Sequence, residues 1–199
     1  MRHRFHGAIA GVGTTSGTRL VIGAWDASPY GRFADVMIER PDGNRILLAP
    51  TPEVRDFVAE TYTFDETRIE PIALQRSASH WHLSAPSLSL SLALGRRRPL
   101  GWALRGIPHV VATSPAWASA VDPIVRVALR GVRTRGIARP GRREWYAATD
   151  LRAVTSLTAR LDGVDLGELA LVDPPCRFGF SSTPRAPSVT TVVTTVEST

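Results

Sequence analysis

The residues best equipped for chemistry lie in the run Arg142-Arg143-Glu144-Trp145-Tyr146. On a strand, alternation puts Arg142, Glu144 and Tyr146 on one face and Arg143, Trp145 and Ala147 on the other. A carboxyl group beside a phenol can act as an acid–base pair in a cavity. The plainer reading is a cross-strand ion pair beside core aromatics. Asp35 shares a face with Phe33 and Met37. An acid among apolar neighbours is either a buried catalytic group or the cap of a nearby loop.

Three further groupings can be read in two ways each. His80-Trp81-His82 sets two imidazoles on one strand face, about 6.5–7 Å apart at the backbone. With His109 they would offer three nitrogens to zinc and leave a position for water. A polar outer strand face explains the same pair, and the reading carried forward assigns no metal and no cofactor. The segment 96–143 holds Arg96-Arg97-Arg98 and seven more arginines from Arg126 to Arg143, with Trp145 and Tyr146 just after. Arginines with exposed aromatics hold a nucleic-acid backbone or an acidic partner; a solvated face that protects a sheet edge is the alternative. Cys176 has Arg177 beside it, which favours a thiolate, yet it reads more simply as a structural cysteine. The serines of Ser87–Leu94 lack the glycines of a hydrolase elbow.

The elements that must carry these residues are mostly short strands. Thr18 to Trp25, Phe33 to Arg40 and Arg45 to Ala49 are β-rich, and Pro41-Asp42-Gly43-Asn44 turns the last two into a hairpin. Thr51, Pro52 and Glu53 start a helix whose apolar face is Val54, Phe57, Val58 and Thr61/Tyr62. Strands follow at Thr67 to Leu74 and around Trp81. Ser87 to Leu94 alternates Ser with Leu and fits a half-buried strand. Gly101 to Ile107 is expected to pair back as a strand, and Ser114 to form the cap of a short helix to Ala120. Ile124 to Arg135 changes parity at Gly131, which predicts a bulge there. Arg142 to Ala148 and Ala153 to Leu161 read as a hairpin pair, Asp162-Gly163 as a tight turn, and Val189 to Val196 as a last strand. About ten antiparallel strands with one or two helices imply one mainly β domain over 1–199, a barrel or strongly curved sheet. Residues 184–199 would be a terminal strand with a loose end. No nucleotide-binding glycine loop is present.

Composition narrows the setting. All 24 basic residues are Arg, against 18 acids, for a net charge of +6. A GC-rich genome accounts for Arg without Lys; selection for forked donors is the other account. The charge is uneven: residues 76–145 carry 12 Arg and 2 acids, while both flanks are mildly acidic. Cys176 is the only cysteine, so no internal disulfide forms. No run approaches about 18 apolar residues, and the glycines after Met1-Arg-His-Arg-Phe-His break any signal-peptide core. These features point to the cytoplasm and away from a membrane, with the oligomeric state open.

Gly23-Ala24-Trp25 matches the Gly-x-Trp tripeptide of lipocalins. The stretches 28–43, 47–66, 131–146 and 174–189 resemble an uncharacterised family of high-GC actinobacteria over most of the chain. That resemblance supports the codon-bias account of the arginines and implies no catalytic residue. The leading expectation is a small, partly apolar ligand held in a cavity. Its lining would be Trp25, Tyr30, Trp81, Trp102, Trp145 and Tyr146, with Arg143 as anion anchor. An enzyme using Asp35, Glu144 or the histidines is the alternative from another class, and the basic segment 96–143 as a nucleic-acid surface is the third.

Overall fold

A computed structural model describes residues 2–112, 114, 116, 117, 119, 122, 132–139 and 141–198. The elements are β1 (Arg2–Thr14), β2 (Arg19–Ala27), β3 (Phe33–Glu39), β4 (Arg45–Ala49), α1 (Pro52–Thr61), β5 (Glu66–Ile69), β6 (Ala73–Arg76), β7 (His80–Ser84) and β8 (Leu88–Arg97). After these come α2 (Pro99–Arg105), α3 (His109–Ala112), β9 (Arg135–Arg139), β10 (Arg142–Leu161), β11 (Val164–Asp165), β12 (Leu169–Ala170) and β13 (Ser188–Ser198). The strands join one sheet in the order β5-β4-β3-β2-β1-β13-β10-β8-β7-β6, with β9 and β11 on β10 and β12 on β1. No helix among the described residues is long and apolar enough to cross a membrane.

Alternation sorts the sheet into two faces. Ala8, Ala10 and Val12 of β1, Leu20 and Ile22 of β2, Val36 and Ile38 of β3, and Ile46 and Leu48 of β4 point one way. Trp81 and Leu83 of β7, the leucines of β8, and Val154, Leu157, Ala159 and Leu161 of β10 join them in one buried cluster. Strands far apart in the order thus meet through their side chains, and the sheet curls around them into a half-barrel. That interior is solidly filled, and each large side chain in it contributes about 1.5–3 kcal/mol by leaving water. The opposite face carries a second apolar layer, roofed by α1 and by the chain around Cys176 and Phe178.

Local chemistry explains most elements. The Thr51 hydroxyl accepts the Val54 N–H at 3.3 Å, Pro52 occupies the first turn, and Val54, Phe57, Val58 and Thr61 are buried. This helix is the crossover between β4 and β5, which pair in parallel while every other pairing among the described residues is antiparallel. Gly43, Asp162 and Gly163 adopt positive φ, as the expected turns require.

Several expectations are corrected. Gly101 to Ile107 is mostly helix α2, started by Pro99, and Gly101 allows it to approach the Leu151 backbone. The stretch 142–161 is one strand of 20 residues with register shifts near Ala148 and Val154. Thr149 to Arg152 contain no Gly or Pro, and Asp150 is held by Arg97 instead of forming a turn. Pro71 divides Thr67 to Leu74 into β5 and β6. The N-terminal residues form β1, and β13 is a central strand, paired with both β1 and β10. Ser114 accepts the Trp117 N–H as a cap would. The strand expected over Ile124 to Arg135 lies almost wholly outside the described residues, as does the Gly131 bulge.

Candidate functional site

The roofed face of the sheet holds a cavity of about 190 Å³. Val21, Gly23 and Trp25 of β2 and Phe33, Asp35 and Met37 of β3 form one wall. Glu144, Tyr146 and Ala148 of β10 and Val192, Thr194 and Val196 of β13 form another. Phe57, Val58, Thr61 and Tyr62 close it from α1 and its end, and Cys176, Phe178 and Ser181 to Pro184 from the late chain. Val132, Arg133 and Thr134 complete the lining, with Leu100, Leu104 and Trp117.

Gly23 and Trp25 share the cavity face, and Gly23 pairs with Asp35 on the neighbouring strand. A Cβ at Gly23 would lie 2.3 Å from Asp35 Oδ1 and 2.7 Å from Trp25 Nε1. The missing side chain therefore leaves room for the Trp25 indole N–H to donate to Asp35 Oδ1 at 2.8 Å. Here the Gly-x-Trp tripeptide builds a hydrogen bond on the cavity floor. Burial raises the Asp35 carboxyl to about 6, opposed by the Trp25 hydrogen bond and by its own backbone N–H.

Glu144 is the centre of the polar network, and the residue is only 2% exposed. Its Oε1 accepts from the Tyr62 hydroxyl at 2.7 Å, and the Tyr62 and Tyr146 hydroxyls meet at 2.5 Å. Its Oε2 is buried and has no hydrogen-bond partner. Burial pushes Glu144 up to about 7; hydrogen bonds from Tyr62 and Tyr146 and the Arg142 charge pull the other way. Both phenols are held well above their ordinary value, first by burial and then by the Glu144 charge, so they stay protonated donors. Arg142 ties α1 to β10: it donates to the Phe57 carbonyl at 3.0 Å, to Thr61 Oγ1 at 2.8 Å and to Glu60 at 2.8 Å. Thr183 Oγ1, Thr194 Oγ1 and Arg133 Nε are also buried without a hydrogen-bond partner, and all three residues line the cavity.

Of the residues singled out in the sequence, Trp25, Asp35, Glu144 and Tyr146 come together here. Tyr30 packs just outside, its ring 5.3 Å from that of Phe57. Trp81 lies in the half-barrel interior, on the far side of the sheet. Trp102 is 63% exposed, with the Arg97 guanidinium 4.5 Å above its ring. Arg143 is exposed and Trp145 half-buried, because Glu144 between them faces the cavity; Arg143, expected as the anion anchor, does not line it. His80 and His82 are exposed, and the His109 side chain lies outside the described residues. Arg97 and Arg142 of the basic segment are engaged by Asp150 and Glu60, while Arg126 and Arg130 lie outside the described residues. Burial pushes the Cys176 thiol up to about 11, which disfavours its thiolate at neutral pH.

Tyr62 escaped the sequence reading as a site residue. It counted as the end of an apolar helix face, and its signal was a hydroxyl on that face. Thr183 and Thr194 carried no signal, since each becomes notable only once its surroundings are dry.

No protein-family model matches the chain, and no curated protein does. Among solved structures it is similar to an acetoacetate decarboxylase from Legionella pneumophila, with a TM-score of 0.45 and 6% identity over 99% of this chain and 85% of that one. A likeness that distant carries no activity across.

Proposed function

We propose that the protein binds one small, mainly apolar molecule with a polar head in the cavity beneath α1. The observation that carries this reading is the set of buried polar atoms left without partners among aromatic walls: Glu144 Oε2, Thr183 Oγ1, Thr194 Oγ1 and Arg133 Nε. A buried polar group without a partner costs about 1–3 kcal/mol, and a ligand head that met these atoms would recover that cost. Size limits the occupant. A dry cavity of about 150 Å³ holds benzene, whereas drug-sized ligands need about 300–1,000 Å³. The present cavity, about 190 Å³, suits a molecule of one or two small rings. Haem and long acyl chains are too large for it.

Trp25 and Trp117 line the cavity and serve as reporters. Titration with one- and two-ring carbonyl compounds, followed by tryptophan fluorescence and calorimetry, is expected to give saturable binding. Ala148→Phe, which fills the space from β10, should abolish it. No binding across the whole series would overturn the reading.

A further inference from the structure

We propose that the cavity is a proton-transfer site in which Glu144 removes a proton from carbon in a small, mainly apolar carbon acid. Such a molecule has a C–H made acidic by a neighbouring carbonyl or similar electron sink. This rests on the ligand-binding reading above and adds chemistry to it.

The arrangement divides the work between the two oxygens of one carboxyl group. Oε1 is fixed by the Tyr62 hydroxyl, which in turn meets Tyr146. Oε2 has nothing to accept from and belongs to a cavity-lining residue. A held carboxylate with one unpartnered oxygen in a mainly apolar cavity is the form a general base takes. Burial also places its proton affinity near neutrality, at about 7, where a base is both populated and strong. The groups acting on it are Tyr62 at the end of α1 and Arg142 and Tyr146 on its own strand; Asp35 of β3, Arg133 and Cys176 line the same cavity. The chain contains no Lys, so no side-chain amine is present to form a Schiff base with a carbonyl. The acid–base pair of Glu144 with its phenols is the chemistry that this geometry carries.

The step balances without a further reactant. The C–H bond breaks, the proton goes to Oε2, and the bonding pair becomes the C=C bond of an enolate whose charge rests on oxygen. Arg133, Thr183 and Thr194 line the same cavity, and the Arg133 Nε–H and the two hydroxyls have no partner, so they are the donors proposed to receive that oxygen. Return of the proton to the same carbon regenerates the starting molecule, and its delivery to another carbon of an extended enolate releases an isomer; either way the Glu144 carboxylate is restored.

The test uses 5-nitro-1,2-benzisoxazole, a ring-sized carbon acid. Loss of its C3 proton breaks the N–O bond and yields a coloured nitrile phenolate. Binding is measured separately, by calorimetry on the same protein. The expected result is ring opening faster than in matched buffer, rising with pH to a plateau with a midpoint near 7. Glu144→Gln should lower the rate by about 10²-fold or more. Tyr62 is a positioning residue, and because its hydrogen bond lowers the Glu144 value, Tyr62→Phe should move the midpoint upward. Exposed Arg143→Ala should change neither quantity. Binding without acceleration, an unchanged rate in Glu144→Gln, or an unmoved midpoint in Tyr62→Phe overturns the inference while sparing the binding reading. Absence of binding by this probe and by the carbonyl series overturns both.

Discussion

Burial at Glu144 makes the folded protein a stronger proton acceptor than the unfolded chain. An unperturbed Glu releases its proton near 4.5 and Asp near 3.8, whereas Glu144 is raised to about 7 and Asp35 to about 6. Between those values the native state holds more protons than the unfolded state, so stability falls as pH rises. The loss begins above the unfolded values and is complete once pH has passed the folded ones. At Glu144 it is on the order of 3 kcal/mol. Asp65, lowered to about 2 chiefly by its hydrogen bond from the Arg45 side chain, acts in the opposite sense but only in more acid solution. Urea unfolding of the ligand-free protein should therefore give a lower midpoint at pH 8 than at pH 5. Glu144→Gln should flatten most of that slope and stabilise the protein at pH 8. A slope undiminished in the Gln variant would count against this assignment, since Asp35 accounts only for a smaller remainder.

At the scale of elements, glycine is where sequence patterning misled and where packing explains why. Gly7, Gly11 and Gly13 make β1 look like a broken apolar run, yet it is the long strand between β2 and β13. The glycines mark close approach. A Cβ at Gly7 would lie 2.0 Å from the Ala24 carbonyl oxygen, and one at Gly13 2.0 Å from that of Leu171. Periodicity counts side chains, so a strand whose side chains are missing for steric reasons is invisible to it. Where side chains do alternate, as in β8, or where a cap and a Pro mark the start, as in α1, the elements were legible. Gly7→Ala and Gly13→Ala should each lower stability by more than about 2 kcal/mol, since backbone oxygens cannot step aside. Gly106→Ala meets only one atom at 3.3 Å at an exposed helix end and should be nearly neutral. Denaturation midpoints of the three variants decide the matter, and equal midpoints would refute the close-approach account.

Across the whole molecule, the site exists because one sheet is covered on both faces. Alternation correctly grouped Asp35 with Phe33 and Met37, and Glu144 with Tyr146. It could not say which face was roofed, because parity separates two sides without ranking them. The roof is assembled from α1 and a segment more than a hundred residues later, and only the folded chain brings them together. The buried Arg19–Glu39 pair, joined by the exposed Arg177, holds that late segment down. Glu39 is fully buried; its Oε1 lies 3.1 Å from Arg19 Nη2 and accepts from Arg177 Nε at 2.9 Å, while its Oε2 accepts the Arg177 backbone N–H at 2.8 Å. Arg19 also donates to the Pro174 carbonyl at 3.1 Å. Cys176 is buried between these anchor points, with its thiolate disfavoured. Glu39→Ala leaves the Arg19 charge buried without its partner, which costs about 3–5 kcal/mol. The expected consequence is a roof that opens locally before the sheet unfolds. Under conditions where circular dichroism still shows the native sheet, Cys176 in Glu39→Ala should react with a disulfide reagent about tenfold faster or more than in the parent. Ligand affinity should fall with it, because Cys176, Phe178 and Ser181 to Pro184 wall the cavity. An unchanged thiol rate in a folded variant would mean that the roof is held by its apolar contacts alone, with Glu39 serving only to neutralise Arg19.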